Sequence, residues 1–254
     1  MPTCADAIAR TLREAGVTRA FGLPGGEVLD VVDALRRAGI EFLLTRHEAT
    51  ASLMADVTGQ LSGVPGVCVS TLGPGAVNMT LGVANAFLER SPVIAITAAH
   101  ATTAAPYATH QKLDLNAVYR PFTKLAITFD GHDTASKVRR AIDVSLTPRR
   151  GPVHLALPSD IARRPENGDT QHFTKLNTPV LHQRQRGSES ATGMCSVSRN
   201  VECPRFWEAM RGARGAVAIL GLDLDPRRDV AAVREFVEAL QLPTFESGSQ
   251  TDLS

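Results

Sequence analysis

Two spacings of apolar residues alternate along the first two thirds of this chain. Five segments with apolar side chains every three to four positions predict helices at 3–15, 28–35, 47–61, 76–88 and 135–145. Short uninterrupted apolar runs between them predict strands at 20–21, 40–44, 67–69, 92–97 and 153–157, and we expect 40–44 and 92–97 to be buried. Helices that alternate with strands through short Gly/Pro turns indicate an α/β fold with a doubly wound parallel sheet. The uninterrupted runs indicate that both faces of this sheet are covered.

The composition changes after Pro165. Residues 166–205 are rich in Gln, Asn, Ser, Thr and Arg without periodicity, which predicts a disordered linker. Residues 206–254 predict one β-α-β unit, which is too small to be an independent α/β domain. We therefore expect an N-terminal domain at 1–165, a linker at 166–205, and the start of a truncated central domain at 206–254. A frameshift or a retained intron is an alternative origin of the unusual stretch.

The bulk composition argues against several classes of partner. The formal net charge is +1 and 43% of the residues are hydrophobic, so no excess of positive charge favours nucleic acid or an anionic membrane. No apolar run approaches the length of a membrane span, and the N-terminus lacks the apolar region of a signal peptide. The four cysteines form no Cys-x-x-Cys pair, which favours a reducing cytoplasm. Cys68, in an apolar run, is most simply a small buried hydrophobe.

Two segments carry the candidate chemistry. Glu48 stands at the predicted start of one helix, and Gly73-Pro74-Gly75 opens the next helix. If neighbouring parallel strands deliver both segments, they face one crevice at the carboxyl ends of the strands, where open α/β sheets bind ligands. A carboxylate that is shielded there can exchange a proton with a bound heterocycle. Taken singly, each segment also has an ordinary interpretation: an acid favoured by the helix dipole, and a tight turn between a strand and a helix.

Other segments are weaker candidates. The turn Gly22-Leu23-Pro24-Gly25-Gly26 lacks the G-x-G-x-x-G spacing of dinucleotide-binding loops. His110-Gln111 ends the longest loop of the first domain, where ligand contacts are common, although surface polar residues are an equal interpretation. His47-Glu48 begins like the helix of a zinc protease, but Ala51 stands where that motif requires a second histidine. We therefore expect no metal site in this chain.

In their order along the chain, these motifs resemble the thiamine-diphosphate-dependent enzymes, and most closely the acetolactate synthase-like group. The motifs are Phe21-Gly22-Leu23-Pro24-Gly25-Gly26, Arg46-His47-Glu48, Met54-Ala55-Asp56, Gly73-Pro74-Gly75-Ala76-Val77-Asn78, Ser91-Pro92-Val93 and Gly151-Pro152-Val153. They lie between residue 1 and about 165, and the resemblance continues more weakly over 206–245. It implies that this region is the pyrimidine-binding domain, one of three α/β domains in the family.

The resemblance also implies roles for single residues. Glu48 would hydrogen-bond N1′ of the aminopyrimidine, whose imino form removes the thiazolium C2 proton. The resulting ylid attacks a 2-oxo acid, for decarboxylation or carboligation. Gln111 would lie near the substrate. The other implied cofactor-binding residues are Pro24, Gly25 and Gly26 on the substrate side, and Thr71, Gly73, Pro74 and Asn78 around the pyrimidine.

This sequence departs from the family pattern in two places. In the family, the sequence Gly-Tyr-Ala-Arg usually occupies the positions of Val57-Thr58-Gly59-Gln60. We expect Gly59 to reduce the stability of this helix by up to about 1 kcal/mol relative to alanine. The Gly-Asp-Gly…Asn signature that holds Mg²⁺ and the diphosphate is absent. Mg²⁺ would then be bound only with a diphosphate-binding domain from another chain. Flavin is not assigned, because in synthases of this group it lies largely against the central domain.

Three functional hypotheses follow. The chain is a partial acetolactate synthase-like enzyme that is inactive alone, a non-catalytic dimerisation module, or one chain of a split 2-oxo acid decarboxylase. The expected partner is either a second copy, giving a homodimer, or a chain that carries the diphosphate-binding domain.

Overall fold

The chain divides into two units, Met1–His172 and Phe173–Ser254. The computed structural model describes residues 1–166 and, further along, residues 218–220, 231, 233–235, 238 and 244–246. The linker predicted at 166–205 lies outside the described residues, apart from Glu166. Most of the unit predicted at 206–254 also lies outside them.

Six parallel strands form the sheet of the first unit. They are β1 (Arg19–Leu23), β2 (Glu41–Leu44), β3 (Gly66–Ser70), β4 (Val93–Ala99), β5 (Leu125–Thr128) and β6 (Val153–Pro158). Their order across the sheet is β2-β1-β3-β4-β6-β5. The direction of winding therefore reverses between β1 and β3, and in open α/β sheets such a reversal opens a crevice at the carboxyl ends of the strands.

Helices cover both faces of this sheet. They are α1 (Cys4–Glu14), α2 (Leu29–Arg37), α3 (Glu48–Ser62), α4 (Pro74–Asn78), α5 (Thr80–Leu88), α6 (Leu115–Tyr119), α7 (Thr134–Leu146) and α8 (Ser159–Arg163). Helix α1 packs against α2, α7 and α8, whereas α3 packs against α5. Strands β3, β4 and β6 are buried along almost their whole length. The predicted doubly wound α/β fold is confirmed for the first unit.

Two local predictions are wrong, and two short elements were not predicted. The strand predicted as buried at 40–44 is an edge strand, because β2 has a neighbour only in β1, and its residues 41–44 are half-buried or exposed. The helix predicted at 76–88 is two helices that meet at Met79. Strand β5 and helix α6 were not predicted, because four and five residues are too short to show a period.

The two ends of the described part of the first unit, residues 2–4 and 164–166, lie side by side. Thr3 and Pro165 form an antiparallel bridge. Cys4 N–H donates to the Arg164 carbonyl at 2.9 Å, and Glu166 N–H donates to the Pro2 carbonyl at 3.0 Å. Thr3 also caps α1 through a reciprocal hydrogen-bonded pair with Asp6. The start of α1 is thus fastened to the segment that leaves the unit.

In the second unit, the described residues include two short strands, β7 (Ala218–Leu220) and β8 (Thr244–Glu246). They pair in parallel, and the described residues between them at 231, 233–235 and 238 are helical. The β-α-β order predicted for this region is therefore present.

Candidate cofactor site

Glu48 is the first residue of α3 and lies almost entirely out of solvent, with 6% exposure. His47 caps the start of the helix, since its ring Nδ1 accepts a hydrogen bond from the Ala49 N–H at 3.1 Å. An acid in the first turn of a helix is stabilised by the positive end of the dipole. The Asn78 side-chain amide donates to Glu48 Oε2 at 3.1 Å. The carboxylate is therefore held in one place by a group from a separate helix.

Glu48 and the glycine turn meet, although not by the expected route. Their strands, β2 and β3, are not neighbours, because β1 lies between them. Helix α3 starts at the end of β2 and packs across β1 and β3, which brings its first residue to Gly75. A Cβ atom added to Gly75 would lie 3.0 Å from Glu48 Oε1 and 2.8 Å from Thr71 Cγ2. Glycine at this position is what leaves room beside the carboxylate.

The turn that precedes α4 also brings Gln111 close. Gly73 has a φ of +61°, a left-handed conformation that favours glycine. A Cβ atom on it would lie 2.6 Å from Gln111 Cβ. Gln111 itself has a φ of +54°, which for a non-glycine residue costs free energy that the surrounding structure must offset. Pro74 occupies the first turn of α4, where its missing N–H removes no hydrogen bond.

The turn after β1 supplies a residue that the sequence analysis missed. Thr71 Oγ1 donates to Glu27 Oε2 at 2.7 Å, and a Cβ atom on Gly25 would lie 2.6 Å from Thr71 Oγ1. Gly26 has nothing within 4 Å of such an atom. Glu27 and Glu48 thus flank Thr71 on two sides. The signal that could have revealed Glu27 is an acid directly after the Pro24-Gly25-Gly26 turn at the end of a strand.

A groove of about 500 Å³ opens beside these residues. It is lined by Gly73, Pro74, Val77, Asn78, Thr109, Gln111, Lys112 and Leu113. Among these lining residues, Lys112 is the only charged one. The groove therefore combines apolar walls with an amide, a turn of backbone and one positive charge.

The structure brings together most of the predicted site residues. One groove is lined by Gly73, Pro74, Asn78 and Gln111. Glu48 adjoins these residues through its hydrogen bond from Asn78, and both Glu48 and Thr71 lie next to Gly75. Gly25 lies next to Thr71, whereas a Cβ atom added to Gly26 would have no neighbour within 4 Å. Within the part of the chain that the structure describes, no group of three or more His, Cys, Asp or Glu is placed to hold a metal ion.

Two buried polar groups lie behind the site. The Asp56 carboxylate, two helical turns from Glu48 on α3, accepts hydrogen bonds from Asn85 Nδ2 at 2.7 Å and from Gln60 Nε2 at 3.1 Å. Cys68 is free and fully buried, as predicted. Burial, and next the nearby Asp56 carboxylate, raise the pKa of the Cys68 thiol, which favours its protonated form.

Comparison with known proteins assigns most of the first unit to one family. Residues 2–118 match the family described as "Thiamine pyrophosphate enzyme, N-terminal TPP binding domain". These residues include β1, β2, β3 and the Glu48 and Gly73–Gly75 segments. The first unit therefore contains an N-terminal thiamine-diphosphate-binding domain.

Several curated proteins place the chain within that family. It is 39% identical over 158 residues to a probable acetolactate synthase large subunit of Methanocaldococcus jannaschii, over 62% of this chain and 27% of that protein. It is 30% identical over 244 residues to an acetolactate synthase of Bacillus subtilis, over 96% of this chain and 40% of that protein. Against the acetolactate synthase isozyme 3 large subunit of Escherichia coli it is 36% identical over 159 residues, 62% of this chain and 28% of that protein. The chain belongs to the thiamine-diphosphate-dependent enzymes and is an acetolactate synthase-like member, which confirms the resemblance.

The matched part is a fraction of each relative. The chain spans between 27% and 40% of the length of these three proteins. The part of the chain that the structure describes has no helix long and apolar enough to cross a membrane.

Proposed function

We propose that this chain supplies the pyrimidine-binding half of a thiamine-diphosphate site that acts on a 2-oxo acid, by decarboxylation or carboligation. The observation that carries the proposal is the Glu48 carboxylate, which is buried, fixed by Asn78, and adjacent to Gly75, where no side chain stands. Thiamine diphosphate, when bound, supplies the carbon nucleophile and the electron sink.

The residues around Glu48 fit the aminopyrimidine ring. Glu48 would hold or release a proton at a ring nitrogen, since a buried carboxyl next to a heterocycle can serve as acid or base. Asn78 keeps the carboxylate in place from one side. The small surfaces of Gly73 and Gly75 allow a flat ring to approach the backbone. The same ring would also be bordered by Thr71, by Pro74 and by the Pro24–Gly26 turn.

The groove beside α4 supports a small anionic substrate. The apolar wall of the groove is formed by Pro74, Val77 and Leu113, and its positive charge comes from Lys112. A 2-oxo acid with a short alkyl tail combines a carboxylate with an apolar end, so it matches both features. Gln111, next to Gly73, would contact its polar groups. Which oxo acid binds depends on groups that the other half of the site supplies.

Titration of the full chain with thiamine derivatives tests the cofactor proposal. We expect thiamine and thiamine diphosphate to bind with dissociation constants of about 0.1–1 mM, a range that reflects contacts to one ring. The two values should agree within about threefold, with or without Mg²⁺, because no diphosphate or metal site is expected here. Oxythiamine, which has a carbonyl in place of the 4′-amino group, is the control ligand and should bind more weakly. Isothermal titration calorimetry measures these values, and no heat of binding at 5 mM thiamine would contradict the proposal.

An exposed apolar surface supports a partner. Helices α3 and α5 pack side by side, and each carries apolar side chains on its outer side. We call this surface the α3–α5 face, formed by Leu53, Val57, Leu61, Leu81 and Leu88. Val57 is 52% exposed, Leu61 67% and Leu88 70%. Contiguous apolar exposure of this kind marks interaction sites. We propose that a second copy of the chain covers this face, which includes α3, the helix that begins with Glu48.

Replacing Val57 with glutamate should separate such a dimer, because it puts a charge at the centre of the α3–α5 face. We expect sedimentation velocity to show a dimer for the unmodified chain at about 10 µM and a dissociation constant at least about tenfold higher for the variant. Leu29→Glu is the matched control, since Leu29 is 55% exposed on α2, away from this face, and it should leave the dimer intact. A monomeric unmodified chain would refute self-association.

The same measurements separate the alternative hypotheses. A dimer that binds no thiamine would favour a non-catalytic interaction module. A monomer that associates only when a chain with the diphosphate-binding domain is added would favour the split enzyme. Several relatives are named large subunits, which is consistent with an assembly of more than one chain.

A further inference from the structure

Tyr119 contacts the site helix from a segment that is distant in the sequence. It ends α6 and is fully buried. Its hydroxyl donates to the Ala76 carbonyl at 2.6 Å, across 43 positions of sequence. Ala76 lies in the middle of α4, the short helix opened by Gly73-Pro74-Gly75. A helix of five residues forms few internal hydrogen bonds, so contacts from outside determine where it lies.

The phenol ring is fixed to the centre of the sheet. It stacks on His154 of β6, with ring centroids 4.0 Å apart and an interplanar angle of 5°. His154 Nε2 in turn hydrogen-bonds Thr97 Oγ1 of β4 at 2.9 Å. Burial lowers the pKa of His154 to about 3, so the ring is neutral at physiological pH. The hydroxyl thus extends from two central, fully buried strands to the backbone of α4.

The same short helix carries the group that fixes Glu48. Asn78 is the last residue of α4, two positions after Ala76, and its amide donates to Glu48 Oε2 at 3.1 Å. A displacement of α4 would therefore change the Tyr119 contact and the Asn78 contact together. Burial, and next the nearby Cys68 and Glu48 groups, raise the pKa of Tyr119, so its hydroxyl keeps the proton that it donates.

We propose that Tyr119 is a positioning residue of the cofactor site: its hydroxyl holds α4 through the Ala76 carbonyl and so sets the Asn78–Glu48 hydrogen bond. Phenylalanine would fill the same space and keep the stacking on His154. What the tyrosine adds is a donor to one carbonyl, and that carbonyl belongs to the site helix. The relevance of this positioning to cofactor binding rests on the proposed function. The structural coupling between Tyr119 and Glu48 does not depend on it.

Tyr119→Phe tests this coupling, because it removes the hydroxyl alone. In the ¹⁵N-labelled full chain we expect the Asn78 side-chain amide signals to move towards solvent-exposed values and to exchange with water at least tenfold faster. The Glu48 carboxyl ¹³C signal should shift as well. Where the unmodified chain binds thiamine, affinity should fall about three- to tenfold, the usual effect of losing one hydrogen bond.

Ser145→Ala is the matched control. Ser145 Oγ donates to the Ile142 carbonyl at 2.8 Å, which is another buried bond from a hydroxyl to the backbone, in α7. Both variants should lose about 2–5 °C of melting temperature, but only Tyr119→Phe should move the Asn78 and Glu48 signals. If Tyr119→Phe leaves those signals in place while the melting temperature falls, Tyr119 is a core residue only and the proposal is wrong.

A second measurement does not depend on that variant folding. The chain has two tyrosines, Tyr107 and Tyr119, and Tyr107 is 85% exposed, so 3-fluorotyrosine labelling gives a reporter and an internal reference. We expect Asn78→Ala and Glu48→Gln each to shift the ¹⁹F signal of Tyr119 and to leave that of Tyr107 unchanged. An unshifted Tyr119 signal in both variants would overturn the coupling. Failure of thiamine to bind would count against the proposed function and leave this result unaffected.

Discussion

Replacing Glu48 with glutamine lowers the turnover of an assembly between this chain and a diphosphate-binding chain by about 10²–10⁴-fold, the usual contribution of a positioned acid or base. Glutamine has nearly the same shape and can still accept a hydrogen bond from Asn78 through its carbonyl oxygen. It cannot take up or release the proton that the pyrimidine nitrogen requires. The loss should therefore appear in kcat rather than in the folding of the chain.

The rate of 2-oxo acid consumption, followed by CO₂ release at saturating cofactor, measures this effect. Glu14→Gln is the control, because Glu14 is an exposed carboxyl at the end of α1, and it should retain full turnover. The melting temperature of Glu48→Gln should stay within about 3 °C of the unmodified chain, as for a substitution that keeps size and packing. Full activity of Glu48→Gln in an otherwise active assembly would refute the assignment of the site.

Replacing Gly59 with alanine destabilises the first unit, although helix propensity alone predicts the opposite. Alanine favours a helix by up to about 1 kcal/mol over glycine. The structure shows why glycine is nevertheless required: a Cβ atom would lie 2.2 Å from the Pro92 carbonyl oxygen and 3.2 Å from the Gly66 nitrogen. That carbonyl accepts a hydrogen bond from the Gly66 N–H at 2.9 Å. Moving the helix away costs about 1–3 kcal/mol of packing and weakens a hydrogen bond of about 1 kcal/mol.

The steric cost and the weakened hydrogen bond together exceed the gain in helix propensity. The free energy of unfolding should therefore fall by about 1–3 kcal/mol overall. Thermal unfolding followed by circular dichroism should give a melting temperature lower by about 3–10 °C for a unit of this size. Thr58→Ala, one residue away on α3, gains helix propensity and faces no such contact, so its melting temperature should stay the same or rise. An increase for Gly59→Ala would show that α3 can move off β3 freely.

Much of the site could be predicted because its residues follow strands directly. Glu48 and the Gly73–Gly75 turn each stand where an apolar run ends, and parallel strands bring such positions to one edge of the sheet. The sequence does not reveal strand order, and the condition considered there, that neighbouring strands deliver the two segments, does not hold because β1 lies between β2 and β3. Glu48 still lies next to the glycine turn, because α3, with 15 residues, is long enough to cross β1 and reach β3.

The residues that sequence analysis missed act through distant partners. Glu27 matters through Thr71, 44 positions away, and Tyr119 through Ala76, 43 positions away. Neither lies in a motif, and an acid in a first turn or an aromatic in a short helix has an ordinary structural interpretation. Likewise, the intrinsic penalty predicted for Gly59 is a local property, whereas its approach to Pro92 depends on tertiary packing. Only a three-dimensional arrangement identifies such pairs.

The pairing of residues 2–4 with 164–166 places the start of the first unit next to the end of its described part. A polypeptide joined before residue 2 and one joined after residue 166 would start from nearly the same spot on its surface and have the same reach towards the cofactor crevice. Domains with adjacent termini accept insertion into a host loop and circular permutation. A diphosphate-binding module could thus be fused at either end, and gene order would place little constraint on how a complete enzyme is built around this unit.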